Sequence, residues 1–219
     1  MYFFLFAFSI LGAGIKYIDD AFDEKTFSKK IAIAIAPVLG VLWAYTMLIN
    51  AVAATILLAI LLAVLLKGKI DNYAHLAGLA MIFLIIIVAG VKLMVPVLVF
   101  LTIAAVLDEV GNDFIDKKRE YLNKGRFLHK FVMAFFDQRW TLKIAILSIA
   151  LLGIIPLYFF LAMLLFDEAY LMMRWYSQMR QTASVKQSEK PLSYLQKQVF
   201  TFLTFNVIFV LFFSIITLA

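Results

Sequence analysis

Cysteine is absent from the chain and histidine occurs only twice. The first absence removes disulfides and thiolate metal sites, and the second leaves too few imidazoles for an ordinary zinc centre. Charge is scarce as well. Asp, Glu, Lys and Arg make up 16% of the 219 residues, against about a quarter in a soluble domain. No strand-length alternation recurs along the sequence, so a membrane β-barrel is excluded. Nor is there a basic run interleaved with aromatics on a soluble module, so the net charge of +6 does not point to nucleic acid.

What the chain does have is apolar surface: 65% of its residues are hydrophobic and the mean hydropathy is +0.99. That composition describes a membrane protein. Lipid offers backbone N–H and C=O groups no partners, so spanning segments without strand periodicity must be helices. A crossing takes roughly 20 residues, so residues 1–219 read as one transmembrane helical domain with little chain left over for a soluble unit. The run MYFFLFAFSILGAG lacks a cationic stretch ahead of its apolar residues and reads as a retained first span rather than a signal peptide.

The position of the charges predicts the topology. Apart from Lys92, every charged residue lies in one of four segments: 16–30, 67–71, 108–143 and 167–197. Residues 31–66 and 72–107 are each long enough for two short spans, turning near Asn50 and near 92–96. Gly153 and Pro156 mark a break that makes helices at about 127–154 and 156–177 a third hairpin. With residues 199–219 as the last span, the expected fold is an all-α, multi-pass transmembrane bundle of about eight spans, or seven if 143–166 crosses once. All four charged segments then share one face, which the positive-inside rule makes cytoplasmic.

Two of those segments resemble each other. DDAFDEKTFSKK at 19–30 and NDFIDKKREYLNK at 112–124 both read Asn/Asp-Asp-x-x-Asp followed by cations, and each follows an apolar run. The pattern suggests two related halves around a central cavity. Asp108 to Asp116 alone holds four acids and a carboxamide in nine residues. On a helix, Asp19, Asp20 and Asp23, and likewise Glu109, Asn112, Asp113 and Asp116, fall three or four apart and share a face. Like charges near hydrocarbon need a compensating cation. Mg²⁺ suits these seven residues, because it is held by one or two carboxylates and completes its shell with phosphate oxygens and water. Lys25, Lys29, Lys30, Lys117, Lys118 and Arg119, beside the acids, are candidates for the outer oxygens of a diphosphate. The implied ligand is an amphiphile with a diphosphate head and a lipid tail.

The two motifs resemble the aspartate-rich motifs of the UbiA-type intramembrane prenyltransferases, a family of nine helices with its motifs after the second and sixth. The chain is similar to a short, divergent member without the first helix. The resemblance implies that Asp19, Asp20 and Asp23, with Asn112, Asp113 and Asp116, bind a polyprenyl diphosphate through Mg²⁺, with Asp20, Asp23, Asp113 and Asp116 as the catalytic set. It further implies ionisation of the allylic diphosphate and capture of the cation by a lipid or aromatic acceptor. Phe27 stands where the family carries a further aspartate, and Tyr73 and His75 are the candidates for the Tyr and Lys it places between its motifs. Two other readings stand beside this one: a transporter or channel whose acids bind cations, and a catalytically silent membrane protein of the same fold.

Overall fold

A computed structural model describes residues 1–68, 70, 72–118 and 127–184. These residues form eight α-helices: α1 (Tyr2–Phe22), α2 (Lys29–Ile49), α3 (Ala51–Leu66), α4 (Tyr73–Ala89), α5 (Val95–Lys118), α6 (Phe127–Asp137), α7 (Trp140–Leu151) and α8 (Tyr158–Ser184). No strand occurs among the described residues, and the fold is all-α. The expected last span at 199–219 lies outside them, as do Lys186, Lys190 and Lys197.

Tyr2–Phe22, Lys29–Ile49 and Val95–Ile115 are long and apolar enough to cross a membrane. The shorter apolar helices α3 and α7 reach about 24 and 18 Å at 1.5 Å per residue, short of a hydrocarbon layer of about 30 Å. Lipid explains the outside of the bundle. Phe100, Ile103, Leu107, Val110 and Phe114 form a continuous exposed stripe at helical spacing along α5, and Ile87 and Val88 of α4 are about 80% exposed. A soluble protein rarely leaves so large an apolar patch open to water.

The turns follow local chemistry. Asn50 closes α2 and opens α3: its backbone is extended, and its Oδ1 accepts hydrogen bonds from the N–H groups of Val52 and Ala53 at 2.8 and 3.0 Å. Asn72 caps α4 in the same way through the N–H of His75. Gly90, at φ +73°, ends α4, and the connection to α5 is tied to α3 where Met94 N–H donates to Thr55 Oγ1.

Helix α1 packs against α8 and α2, α2 against α4, and α3 against α5. Lipid gives helix pairs no hydrophobic drive, so close contact has to come from small residues. A Cβ on Gly12 would sit 2.0 Å from the backbone oxygen of Phe166, and one on Gly40 would sit 2.4 Å from that of Gly78. Those glycines set the α1–α8 and α2–α4 spacings.

The segment 143–166 turns back rather than running straight through. Lys143 at the start of α7 and Asp167 within α8 form an ion pair at 2.8 Å, which requires the chain to reverse at Gly153 to Pro156. The expectation of one helix over 127–154 is corrected, because Gln138 and Arg139 divide it into α6 and α7. Arg139 adopts the left-handed conformation, φ 51° and ψ 49°, so the helix cannot continue through it. The N–H groups of Thr141 and Leu142 then donate to the two carboxylate oxygens of Asp108, at 2.9 and 2.7 Å. One side chain of α5 thereby caps α7.

Candidate functional site

Both acidic motifs lie near the C-terminal ends of long apolar helices, the first on α1 and the second on α5. Asp19, Asp23, Glu109 and Asn112 line one cavity of about 460 Å³. The rest of its wall is largely apolar and includes Leu11, Leu39, Trp43, Ile60, Leu61 and Ile82. From Asp23 to Leu11 the α1 wall is about 18 Å long at 1.5 Å per residue. The aromatic wall groups are Trp43, Phe166 and Tyr170, so few of the many phenylalanines take part. The result is a deep greasy chamber with a polar mouth.

At that mouth the protein supplies cations of its own. His75 Nε2 donates to Asp19 Oδ1 at 2.6 Å, since a carboxylate can only accept, and the Tyr170 hydroxyl reaches Asp19 Oδ2 over a long 3.4 Å. Arg139 Nη2 lies 3.0 Å from Glu109 Oε1. Asp19 is thus met by His75 and Glu109 by Arg139, so two of the acids at this mouth are tied to groups of other elements.

Neighbouring residues on a helix point about 100° apart, so Asp19 and Asp20 face different spaces. Asp20 is only 2% exposed; its Oδ1 pairs with Lys16 Nζ at 2.8 Å, while its Oδ2 accepts no hydrogen bond among the described residues. It lines a second, polar cavity of about 280 Å³ with Lys16, Glu24, Arg174 and Ser177. Asn112, Arg139 and Tyr170 line both cavities and form the partition between them.

The other expected site residues lie elsewhere. Asp113 pairs with Lys67 at 2.7 Å, half-buried, and lines neither cavity. Lys25, Lys29, Lys30, Lys117 and Lys118 also line neither, and Lys29 and Lys118 lie over the rings of Phe22 and Phe114. The side chain of Asp116 and the whole of Arg119 fall outside the described residues. Tyr73 is exposed, whereas His75 lines the larger cavity. Phe27 is buried between the rings of Tyr17 and Tyr176, at centroid distances of 4.4 and 6.0 Å, and so pins the α1–α2 connection to α8.

Among the described residues no three His, Asp or Glu side chains gather closely enough to cage a metal ion. The donor set at the larger mouth instead suits Mg²⁺ that arrives on a phosphate, which needs only one or two carboxylates from the protein. Arg139 and Tyr170 are the groups that the motifs did not reveal. The signal for Arg139 was its place with Lys143 in FFDQRWTLK, a charged stretch at one end of the third expected hairpin.

The chain matches no protein-family model, no curated protein and no solved structure. Its function is therefore argued from the site itself.

Proposed function

We propose that the chain is a multi-pass membrane protein of prenyltransferase type, which binds a polyprenyl diphosphate with its tail in the larger cavity and its head, as the Mg²⁺ complex, at the acidic mouth. One observation supports this reading above the others: Asp19 and Asp23 from α1 and Glu109 and Asn112 from α5 edge the same chamber, whose remaining wall is largely apolar. A volume of about 460 Å³ is in the range of small-molecule and lipid sites.

In this reading Asp19 and Asp23 hold the metal of the incoming complex, and Asn112 adds a neutral donor or acceptor at its edge. Bound Mg²⁺ would supply charge stabilisation to the departing diphosphate. Arg139, anchored on Glu109, is the cation placed to meet a diphosphate oxygen, a role the sequence suggested for the lysines beyond the motifs. The apolar wall keeps water from an allylic cation, and the faces of Trp43, Phe166 and Tyr170 stabilise it. The excess of Lys and Arg at this end of the bundle supports a cytoplasmic site.

The test is release of diphosphate from geranylgeranyl diphosphate by purified protein with and without Mg²⁺. Asp23→Asn is expected to lower release by about 100-fold, as removal of a charge-stabilising group does, whereas Asp113→Asn leaves it within about threefold, a surface-pair effect. Mg²⁺-dependent release that ignores Asp19→Asn and Asp23→Asn would refute the assignment. A cation carrier draws support from the same acids. Against it, the acids sit at the ends of α1 and α5, whereas a transport path places them near mid-span.

A further inference from the structure

We infer that the smaller cavity is the site of a second ligand, a small, uncharged, hydroxyl-rich molecule of polyol type that enters from water. The inference deepens the proposed function and rests on it only for the transfer step. Its first support is the chemistry of the wall. Asn112, Gln138, Gln178 and Gln181 bring four carboxamides to one space, and Leu171 is the one aliphatic side chain among the lining residues. A carboxamide both donates and accepts, as a hydroxyl does, so this wall matches a polyol in hydrogen-bonding character.

Charge gives the second support. Asp20 is answered by Lys16 at 2.8 Å, Asp167 by Lys143 at 2.8 Å and Arg139 by Glu109 at 3.0 Å. What remains along the wall is Glu24, which accepts a hydrogen bond from Gln181, and Arg174, which forms no ion pair among the described residues. These two cancel, so the cavity carries no surplus to attract an anion. An aromatic acid would want an apolar wall for its ring, and Leu171 is the one aliphatic side chain here. Third, Ser177 is buried in this wall and its hydroxyl has no hydrogen-bond partner among the described residues. A ligand hydroxyl supplies one after rotation about the serine Cα–Cβ bond.

The partition joins this ligand to the lipid. Tyr170 lines both cavities and its hydroxyl donates to Asp19. In the transfer, a ligand hydroxyl oxygen bonds to the allylic carbon while the carbon–oxygen bond to the diphosphate breaks. The diphosphate leaves with that electron pair and takes up the hydroxyl proton. The products are a prenyl ether and diphosphate.

Saturation-transfer NMR on the full chain in nanodiscs, without prenyl diphosphate, tests the cavity directly with glycerol, myo-inositol and 4-hydroxybenzoate. The polyols are expected to receive saturation, with affinity about fivefold weaker in Gln178→Leu and in Arg174→Met, the loss of one hydrogen bond each. Saturation of the aromatic acid alone, or polyol signals identical in both variants, overturns the proposal. Photo-crosslinking of a geranylgeranyl diphosphate analogue, expected unchanged in both variants, shows that they are folded and reports separately on the larger cavity. If that probe fails to label the wild type, the prenyl reading falls while the NMR result still decides the polyol site. Polyol binding that leaves diphosphate release unstimulated overturns the transfer step.

Discussion

The two acidic helix ends are spelled almost alike, yet they are held in place in different ways. At the end of α1 Asp19 meets His75 of α4, but the buried Asp20 is balanced locally: Lys16 sits one turn before it and pairs with it inside the same helix. At the end of α5 the equivalent position, one turn before Asp113, is Glu109, another acid. Two carboxylates four apart repel, so each seeks a cation from another element: Glu109 takes Arg139, and Asp113 takes Lys67 at the end of α3. Asp108 adds a third tie by capping α7. A single exchange of sign at one position thus separates an acid balanced inside its own helix, Asp20, from two, Glu109 and Asp113, that are balanced by other elements.

The largest effect on stability is expected where a buried acid depends on a single cation. Lys16→Met leaves Asp20, 2% exposed, with no ion-pair partner among the described residues, and is expected to cost about 3 kcal/mol. Thermal unfolding in detergent measures it. The double variant Lys16→Met with Asp20→Leu should recover most of that loss, because removing both charges leaves nothing uncompensated. If the single change is silent, Lys16 is not what balances Asp20.

Arg139→Met comes next, at about 2 kcal/mol, since Glu109 is buried but Arg139 keeps contact with solvent. The same change should also weaken labelling by a prenyl diphosphate probe, which Lys16→Met should not do once stability is restored. Asp108→Ala follows, at about 1 to 2 kcal/mol, the cost of a lost helix cap. Here the expected signature is local: faster hydrogen exchange at Thr141 and Leu142, with α1 amides unaffected.

Much of this arrangement was legible in the sequence. Composition and charge segregation predicted the all-helical bundle, and Asn50, Gly153 and Pro156 marked turns that the structure makes. The expectation that two acidic ends edge one apolar chamber could be formed because both followed apolar runs of similar length. Which of Asp19 and Asp20 faces the chamber could not be read, since helical phase depends on how α1 packs against α8 through Gly12. Nor could the break at Arg139 be foreseen, because left-handed geometry in a non-glycine residue is uncommon and carries no local signature. The sequence also argued that clustered acids call for a foreign cation. In the structure Lys16, His75, Arg139 and Lys67 answer four of them.

The smallest effect sharpens the comparison most. Asp113 is the residue that the motif spelling makes equivalent to Asp20, yet its side chain is 33% exposed where that of Asp20 is 3%. Its pair with Lys67, itself 25% exposed, is screened by solvent and is worth no more than about 1 kcal/mol. Asp113→Asn should therefore shift the unfolding midpoint slightly, and high salt should erase the difference between variant and wild type. If Asp113→Asn instead proved as costly as Lys16→Met, the two ends would be equivalent in energy as well as in spelling. The working acids of α5 would then be those of the motif rather than Glu109 and Asp108, one turn before it.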